Sequence, residues 1–483
     1  MTFKGNSSAG KPSVRAEILL ILFSGSSVHM GHTTYKRITA LLLIVLIVSG
    51  CIPGKRKSDQ IRIKYWTFPL WNGITGNEKD GTPEDWPRLK IKEFEAKHPN
   101  VKIDLEVLTW QGGGQKLDLA VLSRTYPDIC YISTANLRKY ADQGVLEPID
   151  RDMTKADRAD IYPNVMECCR YNGRTYVWPW LCNALCLAIN LDIFRERHVE
   201  HLIPKPPDRS WTYDQFVQAC KACTFKRNKG GQVYGYALYG IPLSVEYHML
   251  TLVLGFGAQL YSKDGNAFLL NSPQGVRGFQ FLLDLLDKYK VVPPGPAGMQ
   301  GGQIGQMFMN QEVAIQSSTS GVLKGIKMSA ERGDFPFFNA AIVQPPHLPG
   351  KKPATMLSVG GYVIFKQDDP RKREMVMEFA RFLTNKENCR ALSVIGQFPA
   401  RRSAGDIYPG DVDMAVVARL IPMAKVYFIA AAPELNPIVN NIYQEIFTHS
   451  MTPAQSLAHA EARAKDIIAR ESAERDVGRG NTK

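Results

Sequence analysis

The chain has 483 residues, 45% of them hydrophobic, and a formal charge of +13 at pH 7. That length exceeds one ordinary core and predicts two domains. Basic residues are interleaved with acidic ones and form no long tract, so the charge reads as solvated surface and argues against a nucleic-acid partner.

The first element is an apolar run from Ala40 to Val48, preceded by Lys36 and Arg37 and followed by Ser49, Gly50 and Cys51. It is shorter than the roughly 20 apolar residues that a membrane span needs. Its length and flanks are those of a secretory h-region. Val48 to Cys51 resembles the bacterial lipoprotein signal, in which the cysteine sulfur is lipidated and the chain is cut just before it. Cys51 is therefore the expected lipid anchor. The expected location is extracytoplasmic, tethered to the bacterial cell membrane. Residues 1–50 are set aside as a signal region, with Met30 an alternative start. They hold Lys4, Lys11, Arg15, Lys36 and Arg37 against Glu17, a net +4, which leaves +9 on residues 51–483. Residues 51–60 read as a polar tether.

From Ile61 the pattern alternates between strand and helix. Ile61 to Trp66 and Val101 to Val107 alternate with period two, as half-buried strands do. Leu89 to Lys97 and Leu117 to Ser123 read as helices, Asp128 to Ile132 as a buried strand, and Ala135 to Gln143 as a helix stopped by Gly144. This order predicts a mainly parallel, covered sheet. Tyr171 to Arg174 is a turn, and Thr175 to Ile189 is one long apolar extended segment ending at Asn190. Thr212 to Gln215 is a capping box whose helix runs to about Thr224. Ser272-Pro273 and Asp369-Pro370 open further helices. Short helix is expected at Ile304 to Met309, strand at Val313 to Gln316 and at Val359 to Phe365, and a last helix after Thr452. No internal repeat or low-complexity block is present.

Enzyme signatures are missing from this pattern. There is no Gly-x-Ser-x-Gly, no phosphate-binding Gly-x4-Gly-Lys-Ser/Thr and no His-Glu-x-x-His. Gly255 to Gly257 lacks a third glycine. His198 and His201 read as a surface pair, because no third ligand lies nearby. No carboxylate pair suggests glycoside hydrolysis. Of the nine cysteines, Cys51 goes to lipid. The remaining eight could form disulfides outside the cell, with no pairing fixed by spacing. Cys220 and Cys223 fall late in their helix, on the buried face of Phe216. They read as core thiols rather than a redox pair. Cys182 and Cys186 share a strand face and either pair or pack.

The aromatic residues carry more information. Trp66 and Trp110 end strands, Trp71 follows in a loop, and Trp178 and Trp180 flank Pro179. Ligands of parallel sheets collect at the C-terminal strand ends, where Trp66, Trp110 and Asp128 are expected. An indole face buries the C–H face of a sugar, while amides and carboxylates take the hydroxyls. Each tryptophan has the alternative of filling core.

Taken in order, these segments resemble the sugar-binding group of the extracellular solute-binding proteins of ABC importers. The resemblance spans nearly all of the chain after Cys51. It rests on the opening strand from Ile61, Phe94 to Val101, Tyr126 to Tyr131, Tyr171 to Pro179 with Asn190, Trp211 to Phe216, Phe308 to Gly321, Gly360-Gly361, and Phe398-Pro399. It implies an α/β, two-lobed periplasmic-binding-protein fold of type II with a hinge between lobes. The expected lobes are 61–168 with 346–400 and 169–345 with 401–475, crossing near 169, 345 and 401, with 476–483 as a tail. It further implies that Asp128 accepts ligand hydroxyls. Trp178 to Asn183, the Gly360-Gly361-Tyr362 turn and Ser320-Gly321 should line the cleft, with Trp66, Trp71, Trp110 and Gln115 near it. Val322 stands where many relatives place a stacking Trp, and Asn310 where they have a turn glycine. Tyr239 or Tyr247 would supply the missing platform.

The expected protein is a monomeric, non-enzymatic receptor, with neither cofactor nor metal. It captures a small carbohydrate and delivers it to the membrane subunits of an ABC importer. The alternatives are a secreted polysaccharide-active enzyme and a receptor that presents ligand to a sensor kinase.

Overall fold

The computed structural model describes residues 60–480 except 77, 242–247, 263–264 and 427–434, and leaves out the side chains of 436 and 471–480. Cys51 and Tyr247 lie outside the described residues. Among those described, no helix is long and apolar enough to cross a membrane.

Strand β1 (Ile61–Thr67) runs into helix α1 (Asp85–Lys97), then β2 (Val101–Val107), α2 (Gly113–Leu122), β3 (Ile129–Ser133) and α3 (Leu137–Asp142). β1 pairs in parallel with both β2 and β3, as the alternating strand and helix pattern predicts. Helices α1 and α2 both begin about a turn earlier than their apolar periodicity indicates. In α1 the extra turn buries Trp86 and Pro87 beside Ile91 and Phe94. Hairpin β4 (Arg170–Tyr171) and β5 (Arg174–Thr175) turns through Asn172 and Gly173, with φ of 47° and 76°. Asn-Gly is the pair that tolerates two successive positive φ values.

The long apolar segment is two strands: β6 (Val177–Ala184) and β7 (Cys186–Asn190). They belong to different sheets. After α4 (Tyr213–Ala222), held by a Thr212–Gln215 capping box, come β8 (Phe225–Lys226) and β9 (Gln232–Tyr236). Helix α5 (Pro273–Asp287) is capped by Ser272 with Pro273 at its first position. Then follow β10 (Val313–Ser318), α6 (Gly321–Arg332), β11 (Ala340–Val343), β12 (Leu357–Ile364), α7 (Pro370–Leu383), β13 (Phe398–Pro399), α8 (Val412–Leu420), α9 (Asn436–Phe447) and α10 (Pro453–Gly480).

The first sheet has the order β13-β6-β12-β3-β1-β2 and the second β11-β7-β10-β9-β8. The buried side chains form two clusters, the first of which also takes in Ala188 of β7 and Ile342 of β11 from the second sheet. Ile63, Tyr65, Trp86 and Phe379 are in one, and Phe216, Tyr236, Phe279 and Ile442 in the other. The chain leaves the first sheet at Leu185 rather than near 169, because β6 pairs with β12 along its whole length. It returns between β11 and β12. After β13, helix α8 packs on both β11 of the second sheet and β6 of the first, and its Asp413 Oδ1 accepts from Ile342 N at 2.6 Å. The segments around Leu185, Met356 and Lys425 are hydrogen-bonded side by side. Leu185 N donates to Met356 O at 3.0 Å, Lys425 N to Thr355 O at 2.9 Å, and Leu357 N to Lys425 O at 3.0 Å. These hydrogen-bonded segments are the place for the hinge that a two-lobed fold requires.

The eight described cysteines are free thiols, all buried except the half-buried Cys168. Cys220 and Cys223 lie in the second core, as their helical spacing predicts.

Candidate functional site

A cleft of about 1170 Å³ opens between the two sheets. Phe68, Trp110, Tyr131 and Ser133 come from the first-sheet side, and His248, Asn266 and Thr319 from the second. Leu185, Met356 and Leu357 of the hinge close its back. The first-sheet wall is made where β1, β2 and β3 end. Phe68 follows β1, Trp110 follows β2, and Ser133 to Leu137 follow β3, the usual ligand position of a parallel sheet.

Trp110 is 62% exposed, yet its ring stacks on Phe68 with centroids 5.0 Å apart and planes 24° apart. One face of the indole is thus backed by an aromatic ring and the other is free. Tyr131 stands behind this pair, its ring edge-on to Phe68 at 6.4 Å. Burial pushes its phenol well up, so it is protonated at neutral pH. Further along the wall, the Arg138 guanidinium lies 5.3 Å from the Tyr171 ring centroid. Arg138 Nε donates to Asp142 Oδ2 at 3.1 Å, and the Tyr171 hydroxyl donates to the same carboxylate. Burial, reinforced by Asp142, pushes the Tyr171 phenol up to about 12. Burial also pushes the Cys168 thiol up to about 12, so it is an uncharged wall residue.

Behind the cleft the two sides are joined by a polar network. Asn183 Nδ2 donates to Ser320 Oγ at 2.7 Å and to Gln397 Oε1 at 3.1 Å, and Ser320 Oγ donates to Gly396 O at 2.6 Å. Asn183 is 1% exposed and Ser320 fully buried. Gly396 has φ +69°, and a Cβ there would stand 2.9 Å from the Gly321 Cα. A side chain at Gly396 would both strain its left-handed backbone and close this contact. Helix α6 follows a second-sheet strand and packs against the turn Ala391–Ile395 that precedes β13, so the contact continues beyond the network.

The predicted site residues therefore separate into groups. Trp110 lines the cleft, whereas Asn183 and Ser320 are buried behind it, in the network that reaches the lining residue Gln397, with Gly321 next in the chain. Trp178 and Trp180 do not line it. Both are fully buried, because β6 is a central strand between β12 and β13. Trp71 is also core, stacked on Trp86 at 4.2 Å. Trp66 is 9% exposed and lies beneath Lys116. Gln115 is exposed on α2 and is not a lining residue, although Gly114 and Leu117 of the same helix are. Tyr239 is buried in the second core.

Asp128 sits at the start of β3, the end opposite the cleft. Its Oδ2 accepts from Lys64 N at 2.7 Å and pairs with Lys372 Nζ at 2.8 Å, so it is not free to meet a ligand. Gly360, Gly361 and Tyr362 lie within β12, not in a turn. A Cβ on Gly360 would fall 2.1 Å from the Tyr131 hydroxyl, and one on Gly361 2.3 Å from Trp178 O at a bulge. Gly360 thus makes room for a wall residue rather than meeting ligand itself. The buried Tyr362 hydroxyl is 3.2 Å from that of Tyr65. Among the described residues, no group of three His, Cys, Asp or Glu could hold a metal.

Phe68, Tyr131, Arg138, Tyr171, His248, Asn266 and Gln397 were not singled out from the sequence. The available signal was position: several of them stand just after a strand of the parallel ladder.

Two mixed sheets flanked by helices, joined by hydrogen-bonded connections behind a cleft, have the two-lobed architecture of periplasmic binding proteins. Residues 79–388 match the family model for bacterial extracellular solute-binding proteins, and the chain belongs to that family. A putative binding protein of Brucella abortus is 22% identical over 383 residues, covering 78% of this chain and 88% of its own length. The diacetylchitobiose binding protein DasA of Streptomyces coelicolor is 28% identical over 193 residues, 40% of this chain and 42% of that one. Among solved structures, a solute-binding protein of an ABC transporter from Thermotoga lettingae, bound to α-D-tagatose, superposes with a TM-score of 0.69. It is 20% identical and covers 85% of this chain and all of its own. UgpB of Mycobacterium tuberculosis, in complex with glycerophosphocholine, superposes with a TM-score of 0.68 at 16% identity, over 85% of this chain and 99% of its own.

Proposed function

We propose that the protein is an extracytoplasmic receptor that captures a carbohydrate between its lobes and delivers it to an ABC importer, with Cys51 as its lipid anchor. The observation that carries this reading is the Trp110–Phe68 stack. It presents one free indole face to a cleft lined from both sheets. Such a face suits the C–H side of a sugar ring. The amides of Asn136, Asn266 and Gln397 and the hydroxyls of Ser133, Thr134, Thr319 and Ser358 on the same lining suit its hydroxyls. Several relatives and structural neighbours are described as binding saccharides, which supports the same class of ligand.

In this reading one lobe is built on the first sheet and the other on the second. Ligand clasped by both lobes favours the closed arrangement, which the importer's membrane subunits then read. Asn183, Ser320 and Gln397 hold the two sides in register behind the cleft. A lipid tether raises the receptor's local concentration at its importer.

The test is calorimetric titration with a saccharide panel, followed by recovery of the ligand. Saturable heat with unchanged ligand is expected. Recovered hydrolysis product would instead favour an enzyme. Membrane attachment is tested separately: Cys51→Ser should release the protein, and an unchanged membrane fraction would refute the anchor.

A further inference from the structure

Among the described residues, the charged side chains that line the cleft are basic. Arg138, Arg170 and His248 line it, and among the described residues its lining contains no Asp or Glu. Two acids bond to side chains of this wall: Asp142 is committed to Arg138 and to the Tyr171 hydroxyl, and Asp118 to Lys139 and the Tyr140 hydroxyl. The effect of Asp142 is to hold the Arg138 guanidinium against the Tyr171 ring.

Arg170 is different. It stands at the start of β4, exposed, and among the described residues its side chain makes no hydrogen bond or ion pair. Helix α3, which carries Arg138, packs against β4. The topology thus brings two guanidinium groups to one wall, around Tyr171. Neutral saccharides are well served by carboxylates, which accept hydroxyl protons. A guanidinium fork instead matches the paired oxygens of a carboxylate or phosphate. The +9 charge on residues 51–483 adds a field that favours approach of an anion.

The geometry points to a ligand with an anionic oxygen group, a carboxylate or phosphate on a sugar-like body, met by Arg170 at the cleft wall. This rests on the receptor reading above and specifies the ligand class of the same cleft. The aromatic platform at Trp110 would take the apolar ring face, and the Arg170 side of the wall the charge.

The experiment is calorimetry on matched probes: hexoses and disaccharides, their uronates, and the hexose 6-phosphates, each at low and moderate salt. A charged member should bind about tenfold or more tightly than its neutral counterpart, the usual strength of a charge-assisted hydrogen bond. The gap should narrow as salt rises. Arg170→Gln should abolish the gap, and Arg170→Lys should keep part of it. The uronate and phosphate arms distinguish the two sources of charge. Neutral probes that bind as tightly as charged ones would overturn the inference and leave the receptor reading intact. An Arg170→Gln variant with the gap unchanged would do the same. Silence from the whole panel would count against the saccharide reading itself.

Discussion

Replacing Trp110 with alanine separates a ligand platform from a core residue. The side chain is 62% exposed. On a surface of about 250 Å² for a tryptophan, that exposure leaves about 150 Å² open, and a ring stacked on one face would cover about half of it. At about 25 cal/mol per Å² the lost contact is worth about 2 kcal/mol. That corresponds to about thirtyfold in Kd. The folded state loses only the stack on Phe68, about 0.5–1.5 kcal/mol. Trp110→Ala should therefore weaken ligand binding about thirtyfold in a calorimetric titration while thermal unfolding moves by a few degrees. Unchanged affinity would refute the platform. Weak binding accompanied by collapse of the thermal transition would assign Trp110 to the fold.

The buried tryptophans should behave in the opposite way. Trp180→Ala should cost about 3–5 kcal/mol in denaturant unfolding, since the ring is fully buried beside Trp86 and Tyr362; a loss below 1 kcal/mol would contradict the packing. Gly360→Ala should displace Tyr131, because the new Cβ would fall 2.1 Å from its hydroxyl. Impaired ligand binding is expected, and wild-type affinity would show that Tyr131 does not shape the wall. Arg401 pairs with Asp157 at 2.8 Å and Asp160 at 3.3 Å. Burial alone would raise both carboxyls, but donors from Thr154, Ser403 and Arg401 hold them below the ordinary value. Their stabilisation is complete above the unfolded value of about 3.9 and is lost as pH falls below it. The stability gap between wild type and Arg401→Met should therefore narrow in acid; a gap independent of pH would contradict this. Thiol titration of the denatured, unreduced protein should find Cys130, Cys168, Cys169, Cys182, Cys186, Cys220, Cys223 and Cys389 all reactive; a shortfall of two would reveal a disulfide.

Much of the fold was legible because local pattern and tertiary environment agree. β1 and β2 alternate because one face of each is buried, and the caps at Thr212, Ser272 and Asp369 mark helices that form there. The change of sheet at Leu185 was not legible. β6 and β7 are both buried at every position, so the apolar run has no polar break where the chain passes between sheets. The tryptophans misled for a related reason. An aromatic residue on a strand looks the same whether the strand is central, as β6 is, or opens onto a cleft. Asp128 was expected at the ligand end of β3, but it precedes the strand, so the rule that finds Phe68 and Ser133 excludes it. Arg138 and Tyr171 come together only because α3 packs on β4, a contact between segments about 30 residues apart that no local pattern encodes.

The most direct test is a crystal structure of the protein with whichever saccharide gives saturable heat. The ligand ring should lie on the free face of Trp110, with atoms of both sheets' sides, Thr319 or Asn266 as well as Tyr131, in contact with it. A ligand bound elsewhere, with the Trp110 face left bare, would contradict the assignment of this cleft as the binding site.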